Sequence, residues 1–264
     1  MMRSITNQIL VVLVALSNIS EISAYVSQDY TVSTHKISNF EIYVLRNFFN
    51  GTIAEELVSY MKTTSDWMYT SNHDVKNANK KYRSNEDVRS RRAIVTQQNE
   101  KGLFAYSKYE LTPQHHFTNY VESLLLQDSV KNTIASIVNM KLVSITDMFV
   151  SRFTQGDFLS LHNDGAAGSL AIAVNLSKDW AEEQGGVLEF TCSPTQTSKS
   201  APVCLRIAPE FNSVVLFRTR PKSLPHRVTE VLSDSERLAI TGWYLSEDDA
   251  FSDYDMEQLI LSKG

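Results

Sequence analysis

FTQGDFLSLHND, from Phe153 to Asp164, is the stretch on which the reading of the whole chain turns. Read as a strand, it points residues two apart to one face, so the His162 imidazole and the Asp164 carboxylate project side by side into one interior. That is half of a metal site. LPHRVTEV, beginning at Leu224, offers the third candidate ligand, His226, on another β-branched run that can reach the same barrel mouth. Two imidazoles and one carboxylate on one face of a metal leave the opposite positions open, an arrangement associated with non-haem Fe(II) that takes a co-substrate and oxygen. Arg237 opens a further strand-like run, RLAITGWYL. Its permanent cation can hold the far end of a dicarboxylate by two parallel hydrogen bonds while a keto-acid end chelates the metal.

Working outward, the chain from Ser144 onward is a series of short β runs: SITDMFVSRF, FLSLHND, LAIAVNL, GVLEFTC, VCLRIAP, SVVLF, HRVTEVL and RLAITGWYL. Closely spaced strands with Gly, Pro and Asn between them predict two facing sheets in a mainly β jelly roll, the cupin-like double-stranded β-helix.

From about Val143 to Leu245 the chain resembles the Fe(II)/2-oxoglutarate-dependent oxygenases, in their prolyl 4-hydroxylase-like branch. The matching pieces, in the family's order, are the HND triplet, GGVLEF (Gly185 to Phe190), SVVLF, PHRVTEV and RLAITGW. The resemblance implies His162, Asp164 and His226 as iron ligands and Arg237 as the anchor for the 2-oxoglutarate 5-carboxylate. It further implies O2 as co-reactant, ascorbate as accessory reductant, and hydroxylation of an unactivated C–H bond with release of succinate and CO2. The substrate it implies is a prolyl residue of a peptide or protein, or a small amino-acid-like molecule. One departure stands out: many members carry a tyrosine nine or ten residues before the first ligand, and here that place holds Phe153, with Arg152 beside it.

No protein acid or base beyond the metal centre is expected to act. Asn175 shares an alternating face with Ala171 and Ala173, and it reads equally as a satisfied core amide or as a polar contact to co-substrate or substrate. Thr241 falls on the same face as Arg237 and adds a hydroxyl there, whereas Trp243 reads as core. The competing class is a non-catalytic jelly-roll binding protein that keeps a metal. No Gly-rich phosphate loop, G-x-S-x-G elbow or Cys-x-x-Cys pair is present, which removes nucleotide hydrolysis, serine hydrolysis and zinc-ribbon readings.

At 264 residues and 42% hydrophobic the chain can bury one substantial core. A formal charge of -5 points to no nucleic-acid partner. Nothing in the sequence selects an oligomeric state. Residues 1–24 hold Arg3, the apolar run Ile9 to Leu16 and a small-residue end at Ser23-Ala24, the pattern of a secretory signal or of an N-terminal helix. The first reading places the protein in the secretory pathway or endoplasmic reticulum, the second in the cytoplasm, and neither provides a stable membrane span. Residues 25–264 then read as one oxygenase domain: strands and support helices over 25–142, the jelly roll over 143–246 and an acidic tail over 247–264. Cys192 and Cys204 flank a Ser/Thr/Pro-rich insert and fit a hairpin disulfide or two buried thiols equally well.

YVSQDYTV and FEIYVLRNFF predict strands that extend the edges of the later sheet. Thr52-x-x-Glu55 has capping-box spacing ahead of Ile53, Leu57, Val58 and Met61. The neighbouring Asn50-Gly51-Thr52 is both a glycosylation pattern and a helix start. Thr112 and Pro113 predict the start of a helix that buries Phe117, Val121, Leu124 and Leu125, and a third helix follows Asp128 with Val130, Ile134 and Ile137 on one side. These stripes read as helix faces on the back of a sheet. Asn72 to Arg92, with Lys76, Lys80, Lys81, Arg83, Arg89, Arg91 and Arg92, reads as a solvated loop or as a lid favouring an acidic peptide or small anion. His35, His73, His115 and His116 read as surface residues.

Overall fold

The computed structural model describes residues 25–72, 85–165, 167–195 and 198–247. The signal reading of 1–24, the 73–84 part of the basic segment, His73 and the tail beyond 247 lie outside the described residues. The predicted runs all form strands: β5 (Leu142–Phe153), β6 (Phe158–His162), β7 (Leu170–Asn175), β8 (Leu188–Thr191), β9 (Val203–Ile207), β10 (Ser213–Arg218), β11 (His226–Val228) and β12 (Arg237–Ser246). Ahead of them come β1 (Thr31–Ile37), β2 (Phe40–Arg46), α1 (Gly51–Thr63), β3 (Met68–Ser71), α2 (Asn85–Glu100), β4 (Tyr106–Glu110), α3 (His116–Leu125) and α4 (Asp128–Val138).

The strand order is β1-β2-β10-β7-β12-β5-β4-β6-β11-β8-β9, with β3 paired to β4. β4 is the corner piece. It pairs with β5 through Tyr109↔Arg152 and Glu110↔Ser151, and with β6 through Tyr106↔Leu159 and Ser107↔Phe158. The sheet folds over at this corner, so that Phe153, Ala171, Ala173, Val215 and Phe217 of one layer share a core with Leu188, Phe190, Ile207 and Val228 of the other. This is the expected jelly roll.

Strict alternation sorts the long strands into two faces. On β7, Ile172 and Val174 join the core under the helices while Ala171 and Ala173 look into the roll. On β12, Leu238 and Ile240 belong to the helix side. There they meet Leu57, Val58 and Met61 of α1, Phe117, Val121, Leu124 and Leu125 of α3, and Val130 and Ile134 of α4. Each fully buried aliphatic or aromatic side chain of this layer contributes about 1.5–3 kcal/mol by burial, which fixes the wider sheet as a rigid backing for the roll.

Four local readings are corrected. The first strand lies at Thr31–Ile37, not over YVSQDYTV, because its register is set by β2, from Thr31↔Arg46 to Ile37↔Phe40. Asn50, not Thr52, caps α1, its side chain accepting from the Thr52 N–H at 2.9 Å. His115, not Thr112, caps α3 by accepting from the Phe117 N–H at 3.2 Å, while the Thr112 carbonyl accepts from the His115 N–H and leaves Pro113 in the preceding turn. The basic segment is helical from Asn85, which removes the loop reading for Arg89, Arg91 and Arg92. Cys192 and Cys204 form a disulfide with S–S 2.09 Å and Cα–Cα 4.9 Å, closing the β8–β9 hairpin.

The β5–β6 link is held by one buried acid. Asp157 accepts from Arg92 Nε of α2 at 2.9 Å, Ser107 Oγ of β4 at 2.8 Å, and Thr154 N and Oγ1 at 2.9 and 3.0 Å. Its side chain is 0% exposed, so a carboxylate left without its cation would have no water to turn to. Arg92→Met should therefore lower unfolding free energy by about 3 kcal/mol, read from urea denaturation, with Arg89→Met on the exposed side of the same helix close to unchanged.

Candidate metal centre and co-substrate cavity

β6 and β11 are antiparallel neighbours with His226↔His162 in direct register, and this one pairing brings the two imidazoles together from distant parts of the chain. Their ring centroids are 4.3 Å apart. His162 Nε2 lies 3.4 Å from Asp164 Oδ1 and His226 Nε2 lies 3.5 Å from Asp164 Oδ2. One donor atom from each residue falls within 4.8 Å of the others. His162 Nδ1 sits 3.0 Å from the Ser160 carbonyl, and His226 Nδ1 sits 3.0 Å from the Leu224 carbonyl. A carbonyl can only accept, so both Nδ1 atoms carry a proton, which leaves Nε2 of each ring, aimed at the common centre, as the atom able to ligate. Three convergent donors in this protonation state fit a divalent ion held on one face.

Burial pushes the His226 imidazole down to about 4, against the partial opposition of Asp164, so it is neutral and ready to ligate at ordinary pH. Burial alone would raise the Asp164 carboxyl, but His226 and His162 outweigh it and hold it below its usual range. Phe217 and Phe190 pack on the His226 ring at 4.8 and 5.6 Å, and Phe104 lies 5.9 Å from the His162 ring.

A cavity of about 280 Å³ runs inward from the triad to Arg237. Arg237 is 3% exposed and burial pushes its guanidinium down to about 10, still a cation at neutral pH. Its Nη2 reaches Asn175 Oδ1 at a long 3.4 Å, its Nε has no partner, and among the described residues no carboxylate pairs with it. A buried N–H without an acceptor costs on the order of 1–3 kcal/mol, which an incoming carboxylate would recover. Gly186, at φ +62, makes room for the arginine: a Cβ there would stand 2.9 Å from Arg237 Cδ.

Asn175 is a satisfied amide that supports Arg237, with Nδ2 donating to Ser213 Oγ at 3.2 Å. Thr241 lines the cavity on the arginine's face, as expected. Phe153 is opposite Arg237 in register and lies 5.0 Å below the guanidinium, offering a ring face and no hydroxyl. Trp243 lines the cavity near Asp164, which corrects its reading as core.

The sequence reading missed the wall built by β4. Tyr106, Lys108 and Glu110 line the cavity, and Phe104 just ahead of the strand overhangs its mouth. YSKYE carries polar side chains on both faces, Lys108 and Glu110 toward the cavity and Ser107 onto Asp157, so the usual apolar-in signal is absent.

These features make a jelly-roll cavity with two imidazoles and one carboxylate that fit a divalent ion at one end and a buried guanidinium at the other. Residues 148–245 match the family model of the 2OG-Fe(II) oxygenase superfamily. The segment belongs to that superfamily and is prolyl-hydroxylase-like; the family implies Fe(II), 2-oxoglutarate and O2. Similar curated proteins include the prolyl 3-hydroxylase sudestada1 of Drosophila melanogaster, 33% identical over 134 residues and 48% of this chain, and the prolyl 3-hydroxylase OGFOD1 of Xenopus laevis, 29% identical over 122 residues and 46% of this chain. The matches span 24% of each of those relatives. Among solved structures, a prolyl 4-hydroxylase from Phytophthora capsici aligns with 83% of this chain and 66% of its own at 15% identity and a TM-score of 0.46.

A pH dependence follows from His226. The unfolded chain takes up a proton at the ordinary value of 6.5, the folded chain only near 4, so between these values the unfolded state holds more protons and stability falls as pH drops. Asp164 acts in the same direction, its stabilisation being lost as pH falls through its lowered folded value. The urea midpoint of the metal-free protein should decline from pH 6.5 to pH 4, and His226→Gln should flatten that decline.

Proposed function

We propose that this chain is an Fe(II)- and 2-oxoglutarate-dependent dioxygenase that hydroxylates a prolyl residue in a peptide or protein, with ascorbate sustaining it in the assay. The observation that carries the reading is the joint geometry: a facial His162–Asp164–His226 donor set at one end of a cavity and an acid-free buried guanidinium at the other. The prolyl hydroxylases among the similar proteins support the substrate class. A non-catalytic metal-retaining module would have no need to hold Arg237 uncompensated at the base of the cavity.

His162, Asp164 and His226 would hold Fe(II), and Arg237 with Thr241 would hold the 5-carboxylate of 2-oxoglutarate. When bound, iron and co-substrate supply the oxidative step, in which one atom of O2 enters succinate as CO2 departs and the other enters a C–H bond of the target as hydroxyl. Asp164 contributes the single protein anion of the donor set. The two carbonyl-held imidazoles keep their orientation through turnover. Arg237 fixes the co-substrate by its charge, and Phe153 beneath it keeps water from the guanidinium face. The aromatic rim of Phe104 and Trp243 restricts access so that the target hydrogen is presented to a dry centre. The Cys192–Cys204 disulfide supports the secretory-pathway half of the localisation expected from residues 1–24.

Succinate release, with added Fe(II), 2-oxoglutarate and ascorbate, tests the reading. Asp164→Ala should bring release to background with an unchanged circular-dichroism spectrum, and turnover like that of the native chain would overturn the assignment. Arg237→Ala should raise the 2-oxoglutarate requirement roughly 10- to 100-fold, as expected for losing charge-assisted hydrogen bonds.

A further inference from the structure

Three polar groups at the inner end of the cavity have no part in the reading above. Lys108 and Glu110 extend from β4 on one face and form a 2.6 Å ion pair with side chains only 12% and 16% exposed. The ammonium is enclosed by rings, 4.8 Å from the centroid of Phe149, 5.8 Å from Tyr106 and 6.0 Å from Phe153. Phe153 is the same ring on which the Arg237 guanidinium rests at 5.0 Å, so two cations from different strands converge on one aromatic side chain. Ser151, two residues before Phe153 and opposite Glu110 in register, lines the same cavity with a buried Oγ that has no hydrogen-bond partner.

An ion pair drawn into a cavity wall adds little to the fold. Its desolvation cost offsets most of its attraction, and the backbone pairings of β4 with β5 and β6 require neither side chain. Arg237 and Lys108 line one cavity from strands on either side of β5, with Phe153 between them, and Glu110 relieves the charge of Lys108 alone. A carboxylate held by Arg237 would enter the field of Lys108 as well, in surroundings where charge-assisted hydrogen bonds are strong.

We propose that Lys108 is a second cationic anchor for the distal carboxylate of 2-oxoglutarate: on binding, its ammonium exchanges Glu110 for the co-substrate, and the Ser151 hydroxyl donates to the same anion. Glu110 is a placeholder that neutralises the lysine beforehand and competes with the ligand for it. This rests on the oxygenase reading and adds a positioning residue from an element outside the region of family resemblance.

The test is equilibrium binding without turnover. Mn(II) replaces iron, and titration calorimetry compares 2-oxoglutarate with 2-oxopentanoate, which has the same keto-acid end and no distal carboxylate. Lys108→Met, which keeps the stem against the rings, should weaken 2-oxoglutarate on the order of tenfold and leave 2-oxopentanoate unchanged. Glu110→Gln should tighten 2-oxoglutarate alone. Native-like binding by Lys108→Met, or an equal loss for both keto acids, would overturn the inference. Were the lysine variant to fold poorly, Glu110→Gln decides: tighter binding upholds the exchange, and unchanged or weaker binding refutes it. Failure of the native chain to bind 2-oxoglutarate would instead overturn the oxygenase reading itself.

Discussion

A guanidinium removed from water, with no carboxylate paired to it among the described residues, is a standing cost to the fold, and much of the interior is arranged around keeping Arg237 there. Asn175 gives it one long hydrogen bond, Phe153 gives it a ring face, and Gly186 gives its stem room. Asn175 is in turn tied to Ser213 of β10. β5, β7, β10, β12 and the turn ahead of β8 thus all take a share in placing one charge. The cluster of His162, Asp164 and His226 at the other end imposes a complementary demand, because a carboxylate buried there has only the two imidazoles, or a cation among them, to offset its desolvation.

The two layers of the roll divide this work unequally. The wider layer has α1, α3 and α4 on its back, and their buried side chains leave it little freedom. The narrower layer carries His162 and His226 and joins the wider one through β4 and the Asp157 cluster. Separation between donor triad and arginine is therefore set at a corner, where one buried acid gathers β4, α2 and the link between β5 and β6.

Much of this was legible beforehand, and the reasons differ by element. The strands of the roll announced themselves through β-branched runs and turn residues, but the period of a strand does not place Asp164: β6 ends at His162, and the chain beyond it brings the carboxylate to both rings. Arg237 could be singled out because a cation heading an apolar strand needs an anion to face. β4 was invisible for the converse reason: Tyr106, Lys108 and Glu110 look like a solvent face, and only the closed roll turns that face inward. The helix starts were misread by two or three positions because Asn50, upstream of Thr52, and His115, downstream of Thr112, satisfy the first amides in place of the Ser/Thr residues.

Each imidazole of the cluster is steered by a carbonyl just two residues before it, Ser160 for His162 and Leu224 for His226. The hydrogen bond that aims each ring is thus written into a tripeptide, and distant aromatic rings pack against it. What the whole polypeptide must guarantee is a single alignment, His226 across from His162. A slip of one residue there would turn one imidazole to the outside of the roll. Provided that alignment persists, and with Gly186 kept beside Arg237, the tip of the β8–β9 hairpin beyond Cys192 and Cys204 is free to change length and composition over evolutionary time while the centre keeps its geometry.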